Sequence, residues 1–172
     1  MDVSTIVVIL FLVVGVIFLM VFVIKSVMSP KKVESINRLT KQGKITQAIK
    51  LAKTLIQKDP QDFLAHYYLG KAYLKDGKSE LALMELKYVD QHAVFDENLS
   101  ELDFRQEIAP LYLKFNQPDE ALKQFLLLTK LNPRDSENYF NAAKLYDSKG
   151  KYEQALGFYG KTIKLNRRHI KA

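Results

Sequence analysis

Apolar residues are distributed along this chain in two different ways. From Ile6 to Ile24 they run without a charge, IVVILFLVVGVIFLMVFVI, and only Gly15 interrupts the aliphatic and aromatic side chains. As a helix rising about 1.5 Å per residue, such a stretch is about 29 Å long, close to the hydrocarbon thickness of a bilayer. Its Val and Ile would suit a strand in water. A lone strand in lipid leaves its peptide groups unpaired, however, so the run predicts an N-terminal transmembrane helix. Beyond residue 33 apolar positions recur at intervals of three and four instead, the period of amphipathic helices.

One phrase punctuates this second regime four times: GKITQAIKLA from Gly43, GKSELALMEL from Gly77, NQPDEALKQF from Asn116 and GKYEQALGFY from Gly150. Ala48, Ala82, Ala121 and Ala155 stand five places after the opening turn residue, and the turns are 34, 39 and 34 residues apart. A period near 34 with small residues at fixed offsets is the mark of a helix-turn-helix repeat. Two helices joined by a short turn approach closely only where small side chains meet at the crossing, with larger ones filling the gaps on either side. The four alanines fit the crossing. Leu69, Gly70 and Tyr73, then Ile108, Ala109 and Tyr112, then Ala142, Ala143 and Tyr146 supply the small-then-aromatic filling on the first helices, with Leu86, Phe125 and Tyr159 on the second. Pro60 and Pro133 end their units and turn the chain into the next helix. Asp62 and Ser100 are expected N-caps, Ser100 with Asp103 resembling a capping box, and Pro118 suits a first helical position. The third unit is longer by about five residues, in VDQHAVFDENLSELDF, which predicts a longer loop before its first helix. Pro110 inside that helix predicts a kink.

On these residues the chain resembles the tetratricopeptide repeat family over roughly residues 33–168. The resemblance implies an all-α fold: residues 1–28 as anchor and flanks, then an α-solenoid over 29–172 of about four units, near 29–61, 62–100, 101–134 and 135–168. The first unit departs from the pattern, with Ser35, Ile36 and Leu39 where an aromatic is usual, and Arg167 stands in place of the closing proline. The plan is similar to that of single-anchor bacterial membrane proteins of this family, among them one of lipopolysaccharide assembly. The metal-binding cysteine domain of that protein has no counterpart here, since the chain has no Cys.

Charge refines the picture. Lys25, Lys31, Lys32, Arg38, Lys41, Lys44, Lys50, Lys53 and Lys58 face a single acid, Glu34, while the chain beyond is close to neutral, so the net +7 sits beside the apolar run. Next to a bilayer each such cation contributes about 1 kcal/mol of attraction to anionic headgroups. The group Lys25, Lys31, Lys32, Arg38, Lys41 and Lys44 is therefore expected at a membrane surface, with ordinary topogenic charge as the plainer reading. The positive-inside rule places the repeats in the cytoplasm, on a single-pass protein of a bacterial inner membrane with its N-terminus outside. Asp2 in place of a basic start, and no small-x-small site after Lys25, favour an uncleaved anchor over a signal peptide. Nucleic acid is a weak expectation without aromatic interleaving or a recognition motif.

Catalytic chemistry finds little support. Without Cys there is no thiolate, His66, His92 and His169 lie far apart, and no glycine-rich phosphate loop is present. The expectation is a non-enzymatic scaffold without cofactor or metal. Repeats of this family present the first helices of successive units on a concave face, here carrying Leu64, Tyr67, Lys71 and Leu74, then Asp103, Gln106 and Leu113, then Glu137, Phe140, Lys144 and Asp147. Tyr67 and Phe140 are either anchors for a protein or peptide partner or rings packed between repeats. The acids Asp103, Glu107 and Glu137 disfavour a C-terminal carboxylate as ligand. An extracytoplasmic assembly factor of a flagellar, pilus or secretion machine is the alternative function. No polar capping helix follows the last unit, so its outer face is expected to meet a partner or another copy.

Overall fold

A computed structural model describes residues 2–166, except for the side chains at 3, 5, 6, 8 and 24–31. Arg167, His169 and Ile170 lie outside the described residues, as do the side chains of Ile6, Ile24, Lys25 and Lys31. Within these bounds the fold is all-α: α1 (Val3–Lys41), α2 (Ile45–Lys58), α3 (Phe63–Lys75), α4 (Ser79–His92), α5 (Glu101–Lys114), α6 (Pro118–Leu131), α7 (Ser136–Ser148) and α8 (Tyr152–Leu165). The helices group into two compact units, residues 1–76 and 77–172.

The repeated phrase has one backbone cause. Gly43, Gly77 and Gly150 have φ of 76°, 76° and 69°, and Asn116 is the one non-glycine residue with positive φ among the described residues, at 52°. Left-handed conformation favours Gly and tolerates Asn. At Gly43, Asn116 and Gly150 the turn residue's N–H donates to the carbonyl three residues back, at Thr40, Leu113 and Asp147. The next N–H donates five back, to Leu39, Tyr112 and Tyr146. This 5→2 and 6→1 pair is the Schellman ending of a helix. The residue that closes it also starts the next helix: carbonyls of Lys44, Lys78, Gln117 and Lys151 accept from the N–H of Ala48, Ala82, Ala121 and Ala155 at 3.0 Å. The alanine thus falls in the first turn after reversal, and the four are 0%, 0%, 0% and 2% exposed.

Connections between successive helix pairs repeat as well. Asp62 N–H donates to the Asp59 carbonyl at 3.1 Å, and Asp135 N–H to that of Asn132 at 3.2 Å, each closing a four-residue turn with Pro60 or Pro133 second. The turn's last residue then caps the next helix. Asp62 accepts from Ala65 N–H at 2.9 Å and Asp135 from Glu137 N–H at 3.0 Å. Burial, working against that Ala65 bond, raises the Asp62 carboxyl above its ordinary 3.8. The folded chain therefore takes up this proton at higher pH than the unfolded chain, so the Asp62 contribution to stability falls as pH rises through that window. Asp62→Asn, an equally good cap without the charge, is expected to match or exceed the parent in denaturant melts at neutral pH. Asp62→Ala, which loses the cap, is expected to fall about 1 kcal/mol below it. A less stable Asn variant would count against the burial cause.

In the first unit, α1 packs with its C-terminal end on α2 and α3, burying Val33, Ile36 and Thr40, while α2 and α3 pack on each other through Ala48, Ala52, Ala65, Leu69 and Ala72. The unit's first helix is thus the end of a much longer one, and Ile36 does the filling where an aromatic is usual. In the second unit α4 to α8 pack each on the next in sequence, the arrangement of a solenoid. The long connection at 93–100 is pinned by Leu99, 1% exposed, and by Asp96, whose carboxylate accepts from the N–H groups of Asn98 and Leu99 and is held below its ordinary range chiefly by Asn98. Ser100 caps α5 by accepting from Asp103 N–H at 3.3 Å, Pro118 occupies the first turn of α6, and α5 continues as one helix through Pro110.

Among the described residues no helix is long and apolar enough to cross a membrane. The unbroken run of described side chains at residues 9–23 is about 22 Å of helix, short of a hydrocarbon core of about 30 Å. The expected span from Ile6 to Ile24 therefore remains a reading of the sequence. Every described side chain in that run is exposed, with Phe11 at 73% and Phe18 at 75%.

Candidate functional site

On α3, Leu64, Lys71 and Leu74 are half-buried and Tyr67 is buried. Lys71 Nζ lies 3.2 Å from the Tyr67 hydroxyl oxygen and 5.0 Å from its ring centre, and the Tyr68 ring stands 5.2 Å away. Tyr67 is therefore a packed ring whose polar end meets Lys71, rather than a projecting anchor.

In the second unit the same register gives a different surface. Asp103, Gln106 and Leu113 on α5 are exposed, as are Glu137, Lys144 and Asp147 on α7, with Phe140 half-buried. These positions are three and seven residues apart on α5 and three, four and three apart on α7, so each set forms one stripe on its helix. Phe140 carries Lys144 Nζ at 5.6 Å from its ring centre and packs 6.0 Å from the Tyr159 ring of α8. The hydroxyl of Tyr159 is raised above its ordinary value by burial and then by the Asp147 carboxylate. Asp103, Glu137 and Asp147 against Lys144 make these two stripes predominantly negative.

Of the basic group, the Lys32, Arg38, Lys41 and Lys44 side chains are exposed, on the C-terminal part of α1 and the turn after it. The histidines stand apart: His66 Nε2 is 3.2 Å from the Pro60 carbonyl, and His92 stacks on Tyr88 with Nδ1 2.8 Å from the Tyr88 carbonyl. Among the described residues no three His, Cys, Asp or Glu side chains are placed to hold a metal ion.

One polar cluster escaped the sequence reading. Arg105, 8% exposed, projects from α5 between Asp90 of α4 and Gln124 of α6. Its Nη1 donates to Gln124 Oε1 at 2.6 Å and to Asp90 Oδ1 at 3.3 Å, and its Nε donates to Glu101 Oε1 at 2.7 Å. Gln124 Nε2 and the Tyr112 hydroxyl donate in turn to Asp90 Oδ2, at 2.9 and 3.3 Å. The guanidinium also covers the Phe95 ring at 5.2 Å, tying the long loop to α5. Burial, followed by the Asp90 carboxylate, pushes the Tyr112 phenol far above its ordinary value, so it stays a donor. Each donor here finds an acceptor, which suits a structural tie across three helices. The available signal was a charged residue at 105 in the packing phase of α5, between Phe104 and Ile108.

Helix pairs with Schellman reversals, alanine crossings and capped Pro turns define a helix-hairpin repeat protein. Family models described as "TPR repeat" and "Tetratricopeptide repeat" match residues 37–77 and 107–165, together more than half of the chain. The chain belongs to the tetratricopeptide repeat family, whose members generally serve as non-enzymatic scaffolds for protein–protein interaction. Its fold is similar to solved structures of MamA. One has 20% identity and a TM-score of 0.60, covering 79% of this chain and 77% of that one. MamA AMB-1 has 17% identity and a TM-score of 0.64, covering 85% and 77%. Another MamA structure has 21% identity and a TM-score of 0.57, covering 87% and 80%. At these identities the likeness is one of fold. No curated protein matches the chain.

Proposed function

We propose that this protein is a membrane-tethered scaffold that gathers a protein or peptide partner on the α5 and α7 face of its second unit. The observation that carries this reading is the pair of stripes at equal register, in which Asp103, Gln106, Leu113, Glu137, Lys144 and Asp147 stay exposed around a half-buried Phe140. Exposed polar groups beside an apolar ring suit an extended or helical segment, and the excess of acids favours one carrying Lys or Arg. The test is quantitative capture from membranes with the intact protein and a Glu137→Lys, Phe140→Ala, Asp147→Lys variant. Loss of the captured species with an unchanged melting curve supports the reading. Equal recovery would reject this face.

Support for the tether comes from the uncharged run at 6–24 together with α1, which carries that run and the first repeat helix as one element. No flexible linker then separates anchor from repeats. We place the repeats at the cytoplasmic side of a bacterial inner membrane, on the strength of the basic group that follows the run. A reporter fused after Ala172 that shows phosphatase activity, with no cytoplasmic reporter signal, would reverse this orientation. Lys32, Arg38, Lys41 and Lys44 would then lie within reach of anionic headgroups. Residues 29–172 are expected to bind anionic vesicles weakly, to detach as salt rises, and to lose about 1 kcal/mol or less for each of these four changed to Gln. Binding of equal strength to neutral vesicles would refute the lipid contact.

A further inference from the structure

The outer face of α8 differs from its counterparts within the same chain. Leu156 occupies the repeat position of Leu122 on α6 and Leu83 on α4, which are 9% and 5% exposed. Leu122 is buried because α7 packs on α6. Leu156 is 71% exposed, and Tyr152 and Ile163, on the same side of α8 at helical spacing, are 66% and 45% exposed. Half-buried Tyr159 completes the stripe.

A second observation concerns the glycines. Gly157 and Gly160 lie inside α8, where glycine is less favourable than alanine, and a Cβ at either would meet nothing within 4 Å. Among the described residues nothing requires their smallness. Gly160 borders the Leu156 and Ile163 stripe, and a missing side chain there lets another helix approach closely.

The stripe is also self-complementary. Tyr152, Leu156, Tyr159 and Ile163 are spaced four, three and four, so the pattern reads alike in both directions. Two antiparallel copies therefore set Tyr152 against Ile163 and Leu156 against Tyr159, twice. Glu153 and Lys164 flank the same edge of the stripe at opposite ends, so the same pairing brings each acid near a lysine of the other copy, while Gly157 and Gly160 fall near the centre. A parallel pairing about a two-fold would set Glu153 and Lys164 on opposite edges at different levels and lose this match. We infer that α8 is a homodimerisation helix, pairing antiparallel with α8 of a second copy across a two-fold axis.

The chain has no native Cys, which makes the register directly testable on the full-length protein in detergent micelles. Tyr152→Cys and Ile163→Cys, mixed and oxidised, are expected to form a mixed disulfide dimer, whereas each alone stays largely uncrosslinked. Dimers formed by each variant alone, or none from the mixture, would overturn the proposed pairing. Leu156→Glu is expected to weaken dimerisation about a hundredfold or more in sedimentation, since two leucines leave the interface and two charges enter. Its melting curve at monomer concentrations should be unchanged because position 156 is exposed. Gly160→Ala should raise the monomer's melting temperature through helix propensity while weakening the dimer. A full-length chain that stays monomeric at high micromolar concentration, or whose association ignores Leu156→Glu, would reject the inference, even if α1 drives contacts of its own.

Discussion

Asp90→Ala is expected to lower the unfolding free energy of the second unit by about 3 kcal/mol, near the lower end of the range for breaking a buried ion pair. Asp90 accepts from Arg105, Gln124 and Tyr112, and its side chain is 12% exposed against 9% for Arg105. Truncation leaves three donors without that acceptor in a site water barely reaches. Glu101 still accepts from Arg105, which is why the upper end is not expected. Replacing Asp90, Arg105 and Gln124 together by Leu, Met and Leu should cost less than Asp90→Ala alone, because no charge or donor of that trio is left stranded. Chemical denaturation with an unchanged slope checks both. A tyrosine titration supplies a second readout: Tyr112 should ionise at lower pH in Asp90→Ala, since the carboxylate is one of the causes holding its proton on. A loss below about 1 kcal/mol would mean that water already replaces Asp90 in the parent, as at a surface pair.

That cluster also marks where reading the sequence stops short. The turn residues, the alanines, the Pro turns and the caps at Asp62 and Ser100 were legible because each is a local rule: φ sign, side-chain size, ring closure or a nearby oxygen. Repetition at intervals of 34, 39 and 34 residues multiplied the signal. Arg105, Asp90 and Gln124 lie 15 and 19 residues apart on three helices and obey no spacing rule, so only packing brings them together. Tyr67 and Phe140 show the same limit from another side. Both stand at one repeat position with a lysine four residues on, yet one is buried and the other half-buried, because what covers a ring depends on neighbours that periodicity does not specify. The apolar run at 6–24 is the reverse case. Its character is plain in the letters, whereas the solvent it meets is not a property of the chain alone.

Ala121→Leu is expected to destabilise the second unit by about 3 kcal/mol, the upper part of the range for overpacking. Ala121 is completely buried in the first turn of α6, and its N–H is bonded to the Gln117 carbonyl that closes the reversal from α5. The reversal leaves little freedom to yield. Asn116 and Gln117 donate back into the end of α5, and Gln124, one turn after Ala121, is fixed to Arg105 of α5. Three extra carbons must therefore either force α5 and α6 apart or take a strained rotamer. Ala121→Gly probes the opposite direction and should lose only about 1 kcal/mol, from helix propensity. Exposed Lys123→Leu on the same helix should change stability by about 0.5 kcal/mol or less. Calorimetric melts of the three variants would show the order. If Leu at 121 were tolerated as well as Leu at 123, the helices would not be held together at the alanine, and the recurrence of Ala48, Ala82, Ala121 and Ala155 would need a cause other than close approach.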